Sequence, residues 1–558
     1  MRTTSLFAFV LASGVAVSTL TACDQEYDPD APAIDPNAPR IRLVSPARGS
    51  FAGDVTHVTV TGYATDDEGV TSVTINGVSA PLAADGTFSA QVPVAAGTNL
   101  LHAVAKDAQG NTGKETRAVV AGALEPIATV VPQSITASMT AETFDALARG
   151  ITGFLTGPNL TTTVQGMNPV INSGAPDGPD CLYAIGDVTK VTVGPASKIT
   201  LSPQQGGVEL SAVLDRPDID MDLRYAVSCL DGSSDVNITA NRVTITGVLR
   251  LGVNGDQFEI HLDDEDVSIS GLDIDMTGVP GTIIDMITIE SAIGPILAWA
   301  AERFAVPYVN NALAGLNETK TVDVLGTPVD IRVRPARIDV DIPGALIELD
   351  TELRAQGDTG APGFVYTPNV LPEIGTRGFE LAVADDAANQ LLASYWAADG
   401  MEVGLDLANG SYGEVGRLYD RVELSAKVPP FLDASDKALR LTVGDLIATF
   451  KNGGAVATQV AVNAQVELKV AAGTDGALRL DVGQPTIHVD VLDENVDGAN
   501  QLSNAQFEAV SSFALSRVVA FGSSALGAVP LPSFGGVSVQ DVAIDEQAGY
   551  LVVGGEIQ

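Results

Sequence analysis

Two stretches of the chain share a pattern of apolar and polar positions. In "MTAETFDALARGITGFLTGPNLTTTV", residues 139–164, Phe144, Leu147, Ile151 and Phe154 recur at helical spacing. In "VADDAANQLLASYWAADGMEVGLDL", residues 383–407, the stripe is Ala388, Leu391, Leu392 and Tyr395. Asp385 and Asp386 precede it as cap and first-turn acids. Each helix is followed by a long run of alternating strands. Val243, Ile245, Leu249, Leu251 and Val253 share one face in the first run, followed by Phe258, Ile260 and Leu262 and then Leu272, Ile274 and Met276. In the second run the inward sets are Leu439, Leu441 and Val443; Val466, Leu468 and Val470; Leu478, Leu480 and Val482; Ile487, Val489 and Val491. One apolar and one wet face predicts antiparallel sheet.

Each run ends in a longer amphipathic helix. Its stripe is Ile293, Ile296, Ala300 and Phe304 in the first case, and Phe507, Val510, Ala514, Val518 and Phe521 in the second. An extended segment follows each, 329–349 and 529–558. The order strand, helix, curled sheet, long helix, extended return therefore occurs twice, which predicts a duplicated unit. A twisted sheet wrapped around helices buries its concave face against them.

The chain upstream differs. Residues 40–121 hold short alternating strands such as "THVTVTGYAT" and "NLLHAVAKDAQGN", separated by "DDEG", "ADG" and "AQGN" turns. Some 80 residues of this kind predict a small β-sandwich. Gly62 to Val73 and Ala105 to Asn111 resemble segments of the bacterial immunoglobulin-like modules of cell-surface proteins. Asp66, Asp67 and Asp107 are candidate Ca²⁺ ligands, but turn residues bonding their own backbone are the favoured reading. Residues 24–39, rich in Pro and Asp, read as a tether.

Composition narrows the class. Acidic residues number 70 against 30 basic, a formal net charge of −40, so nucleic acid is excluded as an expected partner. Frequent Gly (56) and scarce aromatics (5%) suit strands and turns. Arg2 and the apolar run Leu6 to Val17 form a targeting segment too short to span a membrane. Leu20-Thr21-Ala22-Cys23 follows and resembles the lipobox of bacterial lipoproteins, which implies that Cys23 is lipidated and heads the mature chain. No later stretch has 18 uninterrupted apolar residues. The expectation is an exported cell-envelope protein held by lipid to a bacterial membrane, the outer membrane favoured. Cys181 and Cys229 then lie in an oxidising compartment, where a disulfide is the default.

The ordered set of duplicated helices, sheets and return strands resembles the family of bactericidal/permeability-increasing protein, lipopolysaccharide-binding protein and cholesteryl ester transfer protein, the TULIP superfamily. "GFELAVADDAANQLLASYWAADGMEVGLDL" from Gly378, "LGAVPLPSFGGVSV" and the terminal "GYLVVGGEIQ" carry the resemblance. It implies an α+β boomerang: two tandem helix-plus-curled-antiparallel-sheet barrels joined by a central sheet, each holding an apolar pocket for acyl chains. The basic tip that the mammalian family uses for endotoxin has no counterpart in so acidic a chain. The Ig-like module and lipid anchor are additions.

The expected organisation is a signal peptide (1–22), a tether (23–39), the Ig-like β-sandwich (40–122), a first lipid-binding barrel (123–322), central-sheet strands and linker (323–376), a second barrel (377–526) and return strands (527–558). Candidate cavity residues are Phe144, Leu147, Ile151, Phe154, Ile293, Ile296, Phe304, Leu391, Leu392, Tyr395, Phe507, Val510, Val518 and Phe521. Only four His occur: His57, His102, His261 and His488. None lies in a hydrolase or metal motif, so neither enzyme activity nor a cofactor is expected. His261 and His488 read as solvated. "DENVDG" (493–498) resembles the start of an EF-hand loop but has Asn504 where the bidentate Glu belongs. The expected partners are lipid acyl chains and, through lipidated Cys23, a membrane; no protein partner is named. Two functions remain open: lipid binding or transfer by the barrels, and a surface scaffold in which the Ig-like module makes the contacts.

Overall fold

The structure is a computed structural model. It describes residues 37–174, 181–287, 319–324, 326–367, 369–373, 375, 378–407, 412–434, 439–472, 478–483, 485–492, 503, 506–507, 509–510, 513, 539–547 and 549–557. It is predominantly β. The candidate residues Cys23, Ile293, Ile296, Phe304, Val518 and Phe521 and the 493–498 loop lie outside the described residues.

The N-terminal module is an Ig-like β-sandwich. One sheet holds Arg40–Ser45, His57–Thr65 and Thr87–Pro93; the other runs Ser50–Gly53, Thr112–Ala121, Gly97–Asp107, Val70–Ile75 and Val78–Ala80. Strict alternation in His57–Thr65 sends Val58, Val60 and Ala64 inward. They meet Val73, Ile75, Leu101 and Ala103 of the second sheet in one core.

At the centre of the molecule is a seven-stranded sheet. Its order is Thr319–Val324, Thr327–Asp341, Gly344–Ala355, Val131–Thr140, Phe379–Ala384, Tyr550–Ile557 and Val539–Gln547. The opening strands of the two halves, Val131–Thr140 and Phe379–Ala384, pair antiparallel. Each passes directly into a helix: α1 (Ala141–Leu155) and α4 (Asp385–Ala397). Each is flanked on its outer side by the return hairpin of its own half. Between them along the chain lie α2 (Leu160–Gln165) and α3 (Gly281–Ile287).

The first unit splits its strands between two sheets. Lys198–Gln204, Gly207–Asp215, Arg242–Asn254 and Gln257–Ser270 join α1 and the central sheet in the main core. Ile171–Gly174, Tyr183–Thr192, Asp218–Val227, Leu230–Thr239 and Asp273–Asp275 enclose a separate core with α3, including Leu223, Val236 and Ile283. Cys181 and Cys229 form a disulfide. In the second unit one sheet carries Val403–Asp406, Arg421–Ala426, Leu439–Asn452, Ala455–Ala472 and Leu478–Val482, with Phe431–Asp433 and Thr486–Val491 paired alongside. A short helix, α5 (Gly413–Leu418), lies between its first two strands.

One sequence expectation is corrected here. The second sheet does not keep a wet outer face along Leu439–Asn452 and Ala455–Ala472. Leu441 to Ala448 and Val460 to Ala464 are buried on both faces. The Ig-like module covers the outer one. Thr98 Oγ1 donates to the Pro429 carbonyl, and Ala118, Val120, Val428 and Phe431 close a shared apolar cluster.

Candidate functional site

The first unit builds its site on α1. Thr140 ends the preceding strand, and Thr143, one turn in, donates through Oγ1 to the Gly378 carbonyl. Thr152 Oγ1 donates to Ala148 O at 2.8 Å and accepts from Ile199 N at 2.9 Å, tying the helix to the strand Lys198–Gln204. This fixes the rotation of the apolar stripe. Phe144 is buried in the core, whereas Leu147, Ile151 and Phe154 are only half-buried. Leu251, Phe258, Leu262, Val267 and Ile269 of the adjoining sheet are likewise half-buried against the same core. A solid interior would close over such side chains. Here apolar surface on helix and sheet remains partly uncovered by the described residues.

The second unit differs. Leu391, Leu392 and Tyr395 are buried, but so is the opposite face of α4, including Asp385, Asp386, Asn389, Gln390 and Ser394. The amphipathic reading of this helix is therefore corrected: it is enclosed on all sides. Its polar side chains hold passing backbone. Gln390 accepts from Leu353 N and donates to the Ile127 and Thr129 carbonyls. Asn389 exchanges two hydrogen bonds with Leu432, both at 2.8 Å. Ser394 accepts from Ala355 N at 2.7 Å and donates to Asp358.

Asp385 and Asp386 do not cap the helix. The N-cap is Ala384, with no side-chain cap bond. Asp385 instead accepts from Ala434 N, and Asp386 accepts from Thr367 N and Oγ1. Burial raises Asp385 to about 6 and Asp386 to about 7, the latter reinforced by its neighbour's charge. Burial likewise pushes up the Tyr395 phenol, and Tyr550, whose hydroxyl donates to Gln133 O, is raised above its ordinary range.

Phe507 is half-buried and Val510 buried. Phe513 was not among the sequence candidates, yet it is buried and meets Phe450 and Tyr412 edge-on, with centroids 6.1 and 5.9 Å apart. It stands three residues after Val510, so helical spacing carried the signal.

The Asp107 carboxylate accepts from Gly110 N, Asn111 N and Asn111 Nδ2, and Asp66 accepts from Glu68 N; these are turn interactions. Among the described residues no three His, Cys, Asp or Glu side chains converge as a metal site. His261 is exposed and beside Glu259 at 2.9 Å. His488 corrects its reading as solvated: it is half-buried and stacks on His102 of the Ig-like module, with ring centroids 4.2 Å apart. No helix among the described residues is long and apolar enough to cross a membrane.

Residues 39–123 match the family model described as glucodextranase, domain B. No curated protein matches the chain. Similar solved structures include a lipopolysaccharide binding protein (15% identity, TM-score 0.38, covering 77% of this chain and 99% of that one). P47 from Clostridium botulinum A2 gives 11% identity and a TM-score of 0.27, with 76% and 98% covered. Fibronectin(III)-like modules of Clostridium thermocellum CbhA give 12% identity and a TM-score of 0.13, with 36% and 92% covered.

Proposed function

We propose that this chain is a non-enzymatic envelope lipoprotein, anchored through Cys23, that binds lipid acyl chains in the apolar interior of its duplicated units, with the TULIP architecture as its frame. The observation that carries the reading is that the stripe of α1 and apolar positions farther along the sheet it packs on are both only half-buried against one core. Hydrocarbon covers such surface at a gain of about 25 cal/mol per Å² removed from water. About ten buried methylenes therefore contribute on the order of 8 kcal/mol before ordering costs. The stripe of α4 is closed on every side, which favours the first unit as the principal site. The test is organic extraction and native mass spectrometry of the purified protein, followed by uptake of a fluorescent lipid. Co-purifying lipid or saturable uptake supports the reading. Ligand-free protein that takes up none contradicts it.

The scaffold reading is favoured by a different observation: one sheet of the Ig-like module packs on the second unit, leaving the Arg40–Ser45, His57–Thr65 and Thr87–Pro93 sheet facing away. Deleting residues 40–122 would also uncover the buried outer face of the second sheet. Substitutions at exposed Tyr63 are the cleaner test, and a partner lost on Tyr63→Ala would favour this reading.

A further inference from the structure

The contact between the Ig-like module and the second unit is charged as well as apolar. The Arg48 guanidinium reaches three carboxylates: Asp445, Glu115 at 3.4 Å and Asp490 at 3.4 Å. It also donates to Thr116 O at 2.9 Å. Asp445 is fully buried and accepts from Ala118 N across the joint. Asn463, also fully buried, donates to Thr116 O and accepts from Asp445 N. Asp490 accepts from Thr116 N at 3.0 Å. Glu115 is held by Arg117 and Leu43 N within the Ig-like module. Next to this cluster, His102 of the module stacks on His488 of the second unit, and the His102 Nδ1 bonds Thr116 Oγ1.

We propose that this joint is proton-gated: closed at neutral pH, and opened on acidification when the stacked His102–His488 pair takes up charge. The stack joins two neutral rings across the boundary, and Lys114 stands near both. A proton on either ring places a cation against its neighbour and Lys114 in a half-buried setting. Burial already holds His102 down to about 4 and His488 below its ordinary value.

Other groups at the joint bear on the net sign. Asp445 and Glu115 face Arg48, Arg117 and backbone N–H groups. Asp490 opposes the histidines: burial, partly offset by Arg48 and the Thr116 N–H, raises it to about 7. Burial in the closed joint thus disfavours a proton on either ring and favours one on Asp490. Opening lets two rings bind protons more readily and one carboxylate less readily, and the ring pair, stacked across the boundary itself, sets the sign.

Trp396 reports the joint, because its ring lies 6.2 Å from Phe51 of the Ig-like module. The experiment uses the full chain carrying Trp299→Phe and follows Trp396 emission and acrylamide quenching from pH 8 to 4.5. The expected result is a reversible acid-driven rise in quenching. Asp490→Asn, which fixes that position neutral and removes the opposing group, steepens it. His102→Gln with His488→Gln abolishes it. Arg48→Ala leaves the joint open throughout. A flat profile in the parent overturns the proposal, as does an acid response that survives the double Gln change. Lipid uptake is scored separately at pH 8, so its failure leaves this result standing.

Discussion

Ala137 and Leu381 lie directly opposite each other where the two halves of the molecule meet. Both are buried, and each belongs to the strand that opens its half. A few residues later each strand becomes a helix, α1 on one side and α4 on the other. The return hairpins then pair outward in mirrored order. Two copies of one chain pattern thus share a single sheet, and the main core runs through it from one unit to the other.

The two helices predict different responses to the same kind of change. Ile151→Asn alters a half-buried position of α1 and should reduce lipid uptake with little loss of thermal stability. Leu391→Asn places an amide in the enclosed interior around α4. It should destabilise the protein by about 3 kcal/mol or more, through lost packing and an unpartnered amide. Uptake assays and denaturant unfolding on both variants check this. Equal losses of uptake and stability at both sites would contradict the assignment of the site to the first unit.

Asp385 and Asp386 give the fold a pH dependence. Their folded pKa values are raised, so their contribution is fully present below the unfolded value of 3.8 and is lost as pH rises toward 6 and 7. Asp386→Asn keeps an acceptor for Thr367 N and carries no charge. Its unfolding free energy should gain on the parent's as pH rises from 5 to about 7, by about 1.4 kcal/mol per pH unit at most, and level off above that. A constant difference across that range would contradict the account.

The Cys181–Cys229 disulfide closes a 48-residue separation beside the core of the first unit's five-stranded sheet. Chain entropy assigns such a crosslink about 4 kcal/mol. Cys181→Ser with Cys229→Ser should loosen that sheet first. Hydrogen exchange should rise in Tyr183–Thr192 and Leu230–Thr239 before the central sheet is affected.

Gly444 sits where the Ig-like module comes closest to the second sheet. A Cβ there would collide with Ala118 and approach Thr98 Cγ2 to 3.0 Å. Gly444→Val should therefore separate the module from the unit while leaving each folded. Limited proteolysis between the two, together with Trp396 quenching, reads this out.

Much of this was legible in the sequence. Alternation placed Val243, Ile245 and Leu249 on an inner face, and the strand-to-helix step read twice in the sequence stands at Val131–Thr140 into α1 and Phe379–Ala384 into α4. Other features were hidden because they depend on contacts distant in sequence. Asn389, Gln390 and Ser394 look like a solvent face, and only the passing segments around Ile127, Leu353 and Leu432 make them interior. Asn463 and Asp445 have the composition of a wet surface, yet the Ig-like module dries it. His488 followed an outward strand position correctly, but the outward side here is another domain. Arg48 gave no local sign that it would serve three carboxylates drawn from both sides of the joint.

The most direct test of the central claim is native mass spectrometry of the protein purified without added lipid, compared before and after organic extraction. The account predicts mass above that of the mature polypeptide and its anchor, released by the solvent and restored by added acyl lipid. It also predicts loss of that mass in Ile151→Asn. A polypeptide that carries nothing, and accepts nothing when lipid is supplied, would contradict it.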